Sequence, residues 1–239
     1  MRLERKLGFY EKYIKRALDI ICSLLFIIAF SWLYILIAVI VRAKMGSPVI
    51  FKQPRPGIVK NGRETIFDMY KFRSMTDERD ENGNLLPDHR RLSQFGAMLR
   101  STSLDELPEV FCILKGTMSV VGPRPQLVRD MVFMSDVQRM RHTAKPGLTG
   151  LAQVKGRNAI TWEEKLDWDL KYIEKVTFFG DVRILFKTVA AVFKRSGITD
   201  GENATALDYG DALLKAGKVS KADYDTLQAK AIHILEVRA

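Results

Sequence analysis

The chain of 239 residues is poor in the residues that build metal and redox centres. It contains two cysteines and three histidines, and neither set is clustered. Cys22 lies inside an apolar run and Cys112 lies between apolar neighbours, so both are interpreted as small core residues and not as ligands. The histidines, His89, His142 and His233, are scattered along the sequence. A zinc site is therefore not supported.

Internal repeats, low-complexity tracts and an excess of acidic charge are also missing. Lys and Arg outnumber Asp and Glu by 38 to 28, which gives a formal charge of +10. This balance suits a partner that carries phosphate, which leaves nucleic acid, anionic lipid and a nucleotide open. Because 47% of the residues are apolar, the chain can form a sizeable core, and disorder does not describe the whole.

One long apolar run, residues 20–41, carries no charged residue over 22 positions. As a helix it would extend about 33 Å, enough to cross the hydrocarbon core of a membrane. It is longer than the core of a usual signal peptide, and no small-residue cleavage site precedes Arg42. Basic residues flank both ends, namely Lys12, Lys15, Arg16, Arg42 and Lys44. This symmetry leaves a spanning helix and a re-entrant helix both open.

The remaining pattern predicts a helix-rich α/β domain. We expect strands at 49–53 and 66–72, a turn at 54–57, a charged loop at 76–91 and a second loop at 146–150. Helices are predicted near 92–99, from 103, and over 126–142, 162–176, 182–193 and 224–237, the last with a capping signal at Ser220 and Asp223. The helix at 182–193 carries Arg183 and Lys187, so its apolar side suits either the core or a membrane surface.

An acidic pair, Asp105 and Glu106, lies among basic residues that suit phosphate oxygens, namely Lys71, Arg73, Arg100, Arg124 and Arg157. Lys71 and Arg73 alternate, so a strand would aim both at one face. Arg124 lies between Pro123 and Pro125, whose fixed φ angles hold the backbone that presents it.

Two interpretations of the acidic pair are open. Ser103 and Glu106 fit a helix capping box, which would make the pair structural. Alternatively, the start of a helix stabilises bound phosphate and keeps Asp105 ionised, while Glu106 holds Mg²⁺. The local pattern does not separate these interpretations.

Five ordered segments carry a family resemblance: KRALD at 15–19, YKFRSM at 70–75, RSTSLDELP at 100–108, LKGTMSVVGPRP at 114–125 and KPGLTGLAQV at 145–154. Across residues 12–200 the chain resembles the bacterial sugar transferases known as monotopic phosphoglycosyl transferases. The resemblance implies that Asp105 attacks the sugar-bearing phosphate of a UDP-sugar and expels UMP. Polyprenyl phosphate, such as undecaprenyl phosphate, then attacks the covalent intermediate.

The same resemblance implies residue roles and partners. It associates Glu106 with Mg²⁺ and places recurring polar or rigid site residues at Lys71, Arg100, Arg124, Pro125, Arg157 and Asp169. The implied partners are a UDP-sugar, polyprenyl phosphate and membrane lipid, with no nucleic acid. These roles agree with phosphoryl transfer, which needs positioning, a metal ion and charge neutralisation.

The implied organisation is a re-entrant, membrane-anchoring helix at 1–45, a small catalytic domain at 46–200 and a partly helical tail at 201–239. The catalytic domain would lie on the cytoplasmic face of the bacterial inner membrane, with amphipathic helices at the interface. In one departure from the family, Ser31-Trp32 replaces the usual Ser-Pro that would turn the helix back. Residues 156–162 resemble the branch that begins N-linked glycosylation with diacetylbacillosamine phosphate, which implies an N-acetylated amino sugar.

Two other functions compete when the residues are considered without the resemblance. One is a membrane-tethered basic module that binds anionic lipid or nucleic acid, and the other is a glycosyl transferase that releases UDP. A pure binder has no need for Asp105 and Glu106 among phosphate-facing cations, and an aromatic stacking platform for bases is not evident. The identity of the released nucleotide would discriminate among these functions.

Overall fold

The computed structural model describes residues 5–156, 160–193 and 207–238, and within these ranges it is the helix-rich α/β fold that the sequence predicts. The helices are α1 (Lys15–Met45), α2 (Asp88–Arg91), α3 (Gln94–Ser101), α4 (Glu109–Lys115), α5 (Val128–Met131), α6 (Asp136–Arg139), α7 (Leu151–Lys155), α8 (Trp162–Glu174), α9 (Phe178–Phe193), α10 (Tyr209–Lys215) and α11 (Lys221–Arg238). The strands are β1 (Ile50–Lys60), β2 (Arg63–Phe72), β3 (Ser119–Val121) and β4 (Gly147–Thr149).

Helix α1 contains the apolar run and continues through Ser31 without a break. Its 31 residues include no glycine or proline, so nothing in the sequence interrupts the backbone hydrogen bonds. It ends at Gly46, whose positive φ of 77° suits glycine and whose N–H donates to the carbonyl of Arg42. The helical stretch Tyr10–Met45, which includes α1, is the one helix among the described residues that is long and apolar enough to cross a membrane.

Both ends of α1 contact the rest of the protein. Near its start, Arg16 donates to the carbonyls of Ile113 and Leu114 at 2.5 and 2.7 Å. In its second half, the Tyr34 hydroxyl donates to the carbonyl of Leu107 at 2.7 Å, and near its end Val41 is buried in one cluster with Phe72. The opposite side presents an exposed apolar stripe at helical spacing, formed by Ile21, Leu25, Ile28, Trp32, Ile35 and Val39. The helix therefore lies lengthwise on the protein with this stripe facing outward.

Strands β1 and β2 form an antiparallel hairpin around Asn61 and Gly62, which both have positive φ angles. The predicted turn at 54–57 is wrong, because these residues lie inside β1. Pro54 and Pro56 pair across the ladder with Asp68 and Ile66. A two-stranded sheet tolerates both prolines, since each strand has an unpaired edge on which a missing N–H costs no ladder bond.

Strands β3 and β4 are a parallel pair, in which Ser119 pairs with Gly147 and Val121 with Thr149. The loop predicted at 146–150 is therefore wrong in part. The backbones of Gly122 and Gly147 approach so closely that a Cβ on Gly147 would lie 2.1 Å from the nitrogen of Gly122. Only glycine fits there, and this contact fixes the start of the loop that carries Arg124.

The single helix predicted over 126–142 is also wrong. The segment forms α5, α6 and a 3₁₀ turn at Met140–Thr143. Ser135 and Gln138 form a capping box that begins α6, so local side-chain bonds interrupt the helical pattern. By contrast, the helices predicted near 92–99 and over 162–176 and 182–193 are confirmed as α3, α8 and α9.

The C-terminal segment is a pair of helices packed on the body. The predicted capping signal is confirmed, since the N–H of Asp223 donates to Ser220 Oγ at 3.1 Å. On α11, Ala231 is buried with Val128 and Met131. The N–H of Tyr209 donates to a carboxylate oxygen of Asp130 at 2.8 Å. These contacts tie residues 207–238 to α5.

Deleting the chain from residue 201 onward is expected to lower stability and leave the reaction intact. The deletion uncovers Val128 and Met131, whereas the family-like motifs end before it. We expect the deletion to lower the free energy of unfolding by about one or two kcal/mol. In a domain of this length, such a loss lowers Tm by about 4 °C or more. Thermal unfolding and turnover at low temperature are the two measurements, with Tyr224→Phe as a local control. Loss of turnover in a truncated protein that still folds would make the tail part of the site.

Candidate active site

The acidic pair lies on a 3₁₀ turn, Leu104–Glu106, between α3 and α4. The capping-box interpretation is wrong: Ser103 makes no capping hydrogen bond, and α4 begins only at Glu109, after Pro108. Ser103 instead has a left-handed backbone with φ of 57°, which costs a non-glycine residue about 1 kcal/mol or more. Such local strain is typical of functional sites, and here it forms the bend that leads into Asp105 and Glu106.

Glu106 joins two cations from different parts of the fold. Its Oε1 accepts from Lys71 Nζ of β2 at 2.8 Å and from Arg124 Nη2 of the loop after β3 at 2.5 Å. Burial acts to raise the pKa of Glu106, but Arg124 and Lys71 outweigh it and hold the pKa far below its ordinary value. Three residues that the sequence singles out therefore lie in direct contact.

Asp105 is buried beside this cluster, with 7% of its surface exposed. Burial raises the pKa of its carboxyl, while the charges of Lys71, Arg100 and Arg124 act to lower it. None of the hydrogen bonds among the described residues involves its carboxylate. Its oxygens are thus not committed to a structural role and lie within the field of three cations.

Arg100 borders the same centre from α3. Its Nε donates to the hydroxyl of Ser74 at 3.0 Å, and its Nη2 lies 2.9 Å from the sulfur of Met75. The guanidinium is thereby held in place close enough to Asp105 to lower the pKa of that carboxyl. The structure therefore adds Arg100 to the cations around the acidic pair.

Arg73 lies elsewhere. The prediction that Lys71 and Arg73 share one strand face is wrong, because β2 ends at Phe72. The Arg73 guanidinium donates to the carbonyl of Ser47 at 2.9 Å and pairs with Asp77 at 2.6 Å. It fastens the segment after α1 to the segment after β2, and its role in substrate binding stays a prediction.

The loop that presents Arg124 is fixed through three consecutive backbone carbonyls. Those of Pro123, Arg124 and Pro125 accept hydrogen bonds from the Gly147 N–H at 3.0 Å, Arg141 Nη2 at 2.5 Å and Arg55 Nη1 at 3.1 Å. Together with the fixed φ angles of the two prolines, these bonds reduce the entropy that the loop would lose when it binds a ligand. Pro125 thus contributes to the site by fixing the backbone beside Arg124.

Asp169 acts on this loop from a distance. Its Oδ2 pairs with Arg141 at 2.9 and 2.6 Å, and both side chains are at most 2% exposed. Burial raises the pKa of Asp169, and Arg141 acts to lower it. Since Arg141 also holds the carbonyl of Arg124, Asp169 supports the site through Arg141 and does not itself contact Glu106.

Sequence reasoning missed Arg55, Glu109 and Arg141. Glu109 is 1% exposed and lies 3.4 Å from Lys71 Nζ, and burial together with the charge of Glu106 raises its pKa to about 7.

Burial, with the nearby charge of Arg124, lowers the pKa of Arg55 to about 10. Arg55 had a signal in the sequence, because Pro54-Arg55-Pro56 repeats the Pro-Arg-Pro pattern at 123–125. Arg157 lies outside the described residues.

The carboxylates of the site suit a magnesium ion that is held mainly by water and by the phosphates of a substrate. Within the described ranges, no three His, Cys, Asp or Glu side chains form a metal cage. Glu106 uses only Oε1 in its bonds to Lys71 and Arg124, so Oε2 makes no hydrogen bond to any described residue. Magnesium keeps several waters and binds through one or two carboxylates plus substrate phosphates, which matches a single free carboxylate oxygen.

The buried carboxylate of Asp105 and the ion-paired carboxylate of Glu106 lie among three cations, an arrangement suited to phosphate groups. The chain also contains one long apolar helix. Comparison with known proteins gives the family. The chain belongs to the bacterial sugar transferases, whose family model matches residues 10–195.

Three relatives show the range of this likeness. The uncharacterized sugar transferase EpsL of Bacillus subtilis is 45% identical over 193 residues, which cover 81% of this chain and 94% of EpsL. An undecaprenyl-phosphate galactose phosphotransferase of Salmonella typhimurium is 36% identical over 78% of this chain and 42% of its own length. A UDP-glucose:undecaprenyl-phosphate glucose-1-phosphate transferase of Klebsiella pneumoniae is 40% identical over 73% and 39%. The chain thus spans about two fifths of the latter two proteins.

Proposed function

We propose that the protein transfers a sugar 1-phosphate from a UDP-sugar to polyprenyl phosphate and releases UMP. The observation that carries this proposal is the turn at Asp105 and Glu106, held between Lys71 and Arg124. The names of the Salmonella and Klebsiella relatives describe transfer to undecaprenyl phosphate and support this acceptor. Such a reaction would begin the synthesis of a glycoconjugate on a lipid carrier.

In the first step, a carboxylate oxygen of Asp105 forms a bond to the sugar-bearing phosphorus, and the bond from that phosphorus to the oxygen of UMP breaks. Lys71, Arg100 and Arg124 surround Asp105 and offset the charge of the diphosphate. The fixed carbonyls of the 123–125 loop keep Arg124 in place during the step.

In the second step, a phosphate oxygen of the polyprenyl phosphate attacks the same phosphorus. The bond to Asp105 breaks, its carboxylate is regenerated, and a polyprenyl diphosphate sugar leaves. Magnesium bound at Glu106 would supply charge neutralisation for the phosphate oxygens. The ion pairs with Lys71 and Arg124 keep Glu106 ionised, as such a ligand requires.

We place both ends of α1 on the cytoplasmic side of the inner membrane, where UDP-sugars are found. Support comes from contacts along α1, since Arg16 near its start and Tyr34 in its second half both bond to the segment that runs from Leu107 to Leu114. The end of α1 packs against the same body. If α1 crossed the bilayer upright with these contacts intact, polar parts of the body would enter the hydrocarbon, which is costly. The exposed apolar stripe faces the lipid in this arrangement.

Cysteine labelling in intact cells tests this topology. We expect cysteines introduced at the exposed residues Lys6 and Lys60 to be shielded from a membrane-impermeant reagent and labelled after lysis. The background variant replaces Cys22, which is exposed on α1. Labelling at position 6 in intact cells, with position 60 still shielded, would mean that α1 spans the membrane.

The sugar is tested with a panel of UDP-sugars, undecaprenyl phosphate and Mg²⁺. The resemblance at 156–162 supports an N-acetylated amino sugar, as in the branch that uses diacetylbacillosamine, whereas the relatives are named for galactose and glucose. We expect the N-acetylated amino sugars to be turned over fastest, with UMP released. Faster turnover of UDP-galactose or UDP-glucose would reject this sugar class, and release of UDP would reject phosphoglycosyl transfer itself.

A further inference from the structure

A second basic feature lies away from Asp105, in a cavity of about 250 Å³ between α7, α8 and α9. Five exposed cations line this basic cavity, namely Lys155, Lys171, Lys175, Arg183 and Lys187. The proposed reaction uses none of them. Four of them come from α7, α8 and α9, and Lys175 directly follows α8, so the cavity exists only because the fold brings these helices together.

Glu164 and Asp167 line a neighbouring pocket together with Lys171, but within the basic cavity itself no carboxylate of a described residue is free to pair with the five cations. Its lining includes the carboxylate of Asp181, but this group accepts hydrogen bonds from Tyr10 and Tyr172 at 2.9 and 3.0 Å and pairs with Lys15. In the part of the chain that the structure describes, none of the five cations forms an ion pair. Arg183 and Lys187 are four residues apart on α9, a spacing at which like charges repel. A bound anion would offset this repulsion.

Two of these cations contact the ring of Trp168. Lys155 Nζ lies 4.4 Å and Lys171 Nζ 5.0 Å from the centre of its ring. Cation–π contacts at these distances favour extended positions of both side chains beside the cavity. These contacts restrict the two ammonium groups in part, which lowers some of the entropy cost of binding a ligand.

The basic cavity borders an apolar surface of α9. Phe179 and Phe186 are 81% and 74% exposed. Arg183 lies about 40° further round the helix than Phe179, and Lys187 about 80°, on the side that leads to the cavity. A helix with exposed aromatic residues beside basic ones is typical of segments that lie in the membrane interface. The cations are therefore placed where lipid phosphates would meet them.

The basic cavity is also separate from the site around Asp105. On α8, Lys171 follows Asp169 by two residues, which places them about 200° apart around the helix. Asp169 faces Arg141 and the 123–125 loop, whereas Lys171 lines the cavity. One helix thus contributes to two basic regions on opposite sides.

We propose that the basic cavity binds the phosphate headgroup of an anionic membrane lipid, with the acyl chains beside Phe179 and Phe186. The phosphodiester is the group that the cations recognise. The lipid is favoured over a free phosphate as its source, because the exposed aromatic residues offer apolar contact only to a ligand that has chains. The lipid would orient α8 and α9 at the membrane and is not a reactant.

Binding is measured with the full chain in neutral detergent, titrated with short-chain phosphatidylglycerol, short-chain phosphatidylcholine or inorganic phosphate. We expect saturable binding of phosphatidylglycerol, and binding of the other two at least about tenfold weaker, since each lacks either the net charge or the chains. Equal binding of inorganic phosphate would assign the site to a free anion and overturn the proposal. So would equal binding of phosphatidylcholine.

The triple variant Lys171→Gln, Lys175→Gln, Arg183→Gln is expected to bind phosphatidylglycerol about a hundredfold more weakly. The matched control Lys215→Gln, Lys218→Gln, Lys230→Gln removes the same charge from the exposed C-terminal helices and should bind as the wild type does. An unchanged Tm shows that both variants fold. Wild-type affinity in the first variant, or equal weakening in the control, would overturn the proposal. Displacement of phosphatidylglycerol by an equal concentration of polyprenyl phosphate would assign the cavity to the acceptor instead.

Discussion

Replacing Asp105 by asparagine is expected to abolish turnover in a protein that remains folded. The substitution keeps the shape of the side chain and removes the nucleophilic oxygen that would bond to phosphorus. The fold should tolerate it, because no hydrogen bond among the described residues depends on the carboxylate. Burial already disfavours the charged form of Asp105, so Tm should stay the same or rise slightly.

Mass spectrometry of the intact protein separates this role from a structural one. Wild-type protein incubated with the UDP-sugar alone should gain the mass of one sugar phosphate at Asp105 and release UMP, whereas D105N should do neither. Asp77→Asn is the matched control, since Asp77 pairs with Arg73 outside the site and is 63% exposed. Normal turnover in folded D105N would end the proposal that Asp105 attacks phosphorus.

The second large effect is expected for Glu106→Gln. The neutral amide of this variant cannot provide the negative charge that Lys71 and Arg124 share. Arg124 therefore loses its ionic partner, and Lys71 keeps only the longer contact with Glu109. Losing one partner of a fully buried pair costs about 3 kcal/mol of stability, and the cost here is expected to be smaller, about 1–2 kcal/mol, because the Arg124 side chain is 37% exposed. Turnover should fall by at least about a hundredfold, because the cations are no longer held in position and the ligand that we propose for magnesium is lost.

Magnesium dependence gives this variant its specific readout. We expect the variant to need far more Mg²⁺ for its residual turnover, or to show no Mg²⁺ response. The control is Glu163→Gln, which removes an exposed ion pair with Lys218 and should cost less than about 1 kcal/mol. If the Glu106 variant kept wild-type turnover and the same Mg²⁺ response, the proposed roles of Glu106 would be wrong.

The sequence predicted the features that depend on local chemistry. The apolar run from 20 to 41 predicted a long helix, because the length of the run and its lack of charge favour a helix whatever the neighbouring residues are. The capping signal at Ser220 did the same for α11, because it needs only four consecutive residues. The family-like motifs pointed to Lys71, Arg100, Asp105, Glu106 and Arg124, and the structure brings these residues together.

The sequence failed where distant residues compete with a local pattern. Ser103 fits a capping box by spacing, yet it adopts a left-handed backbone within the packed site. Pro54 and Pro56 read as a turn, but pairing with β2 keeps the segment extended. In both cases, contacts made by the whole fold outweigh a local preference, which is worth only about 1 kcal/mol.

By itself, the sequence determined the apolar helix, the helix-rich fold and the identity of the acidic pair with its cations, because composition and short motifs carry that information. Only the tertiary structure decided what each of these side chains contacts. It turned Asp169 toward Arg141, 28 residues away, and gathered Lys155, Lys171 and Arg183 from three helices into one cavity. Such contacts depend on how helices pack, and packing is set by the shape of the entire core and not by any local stretch of the chain.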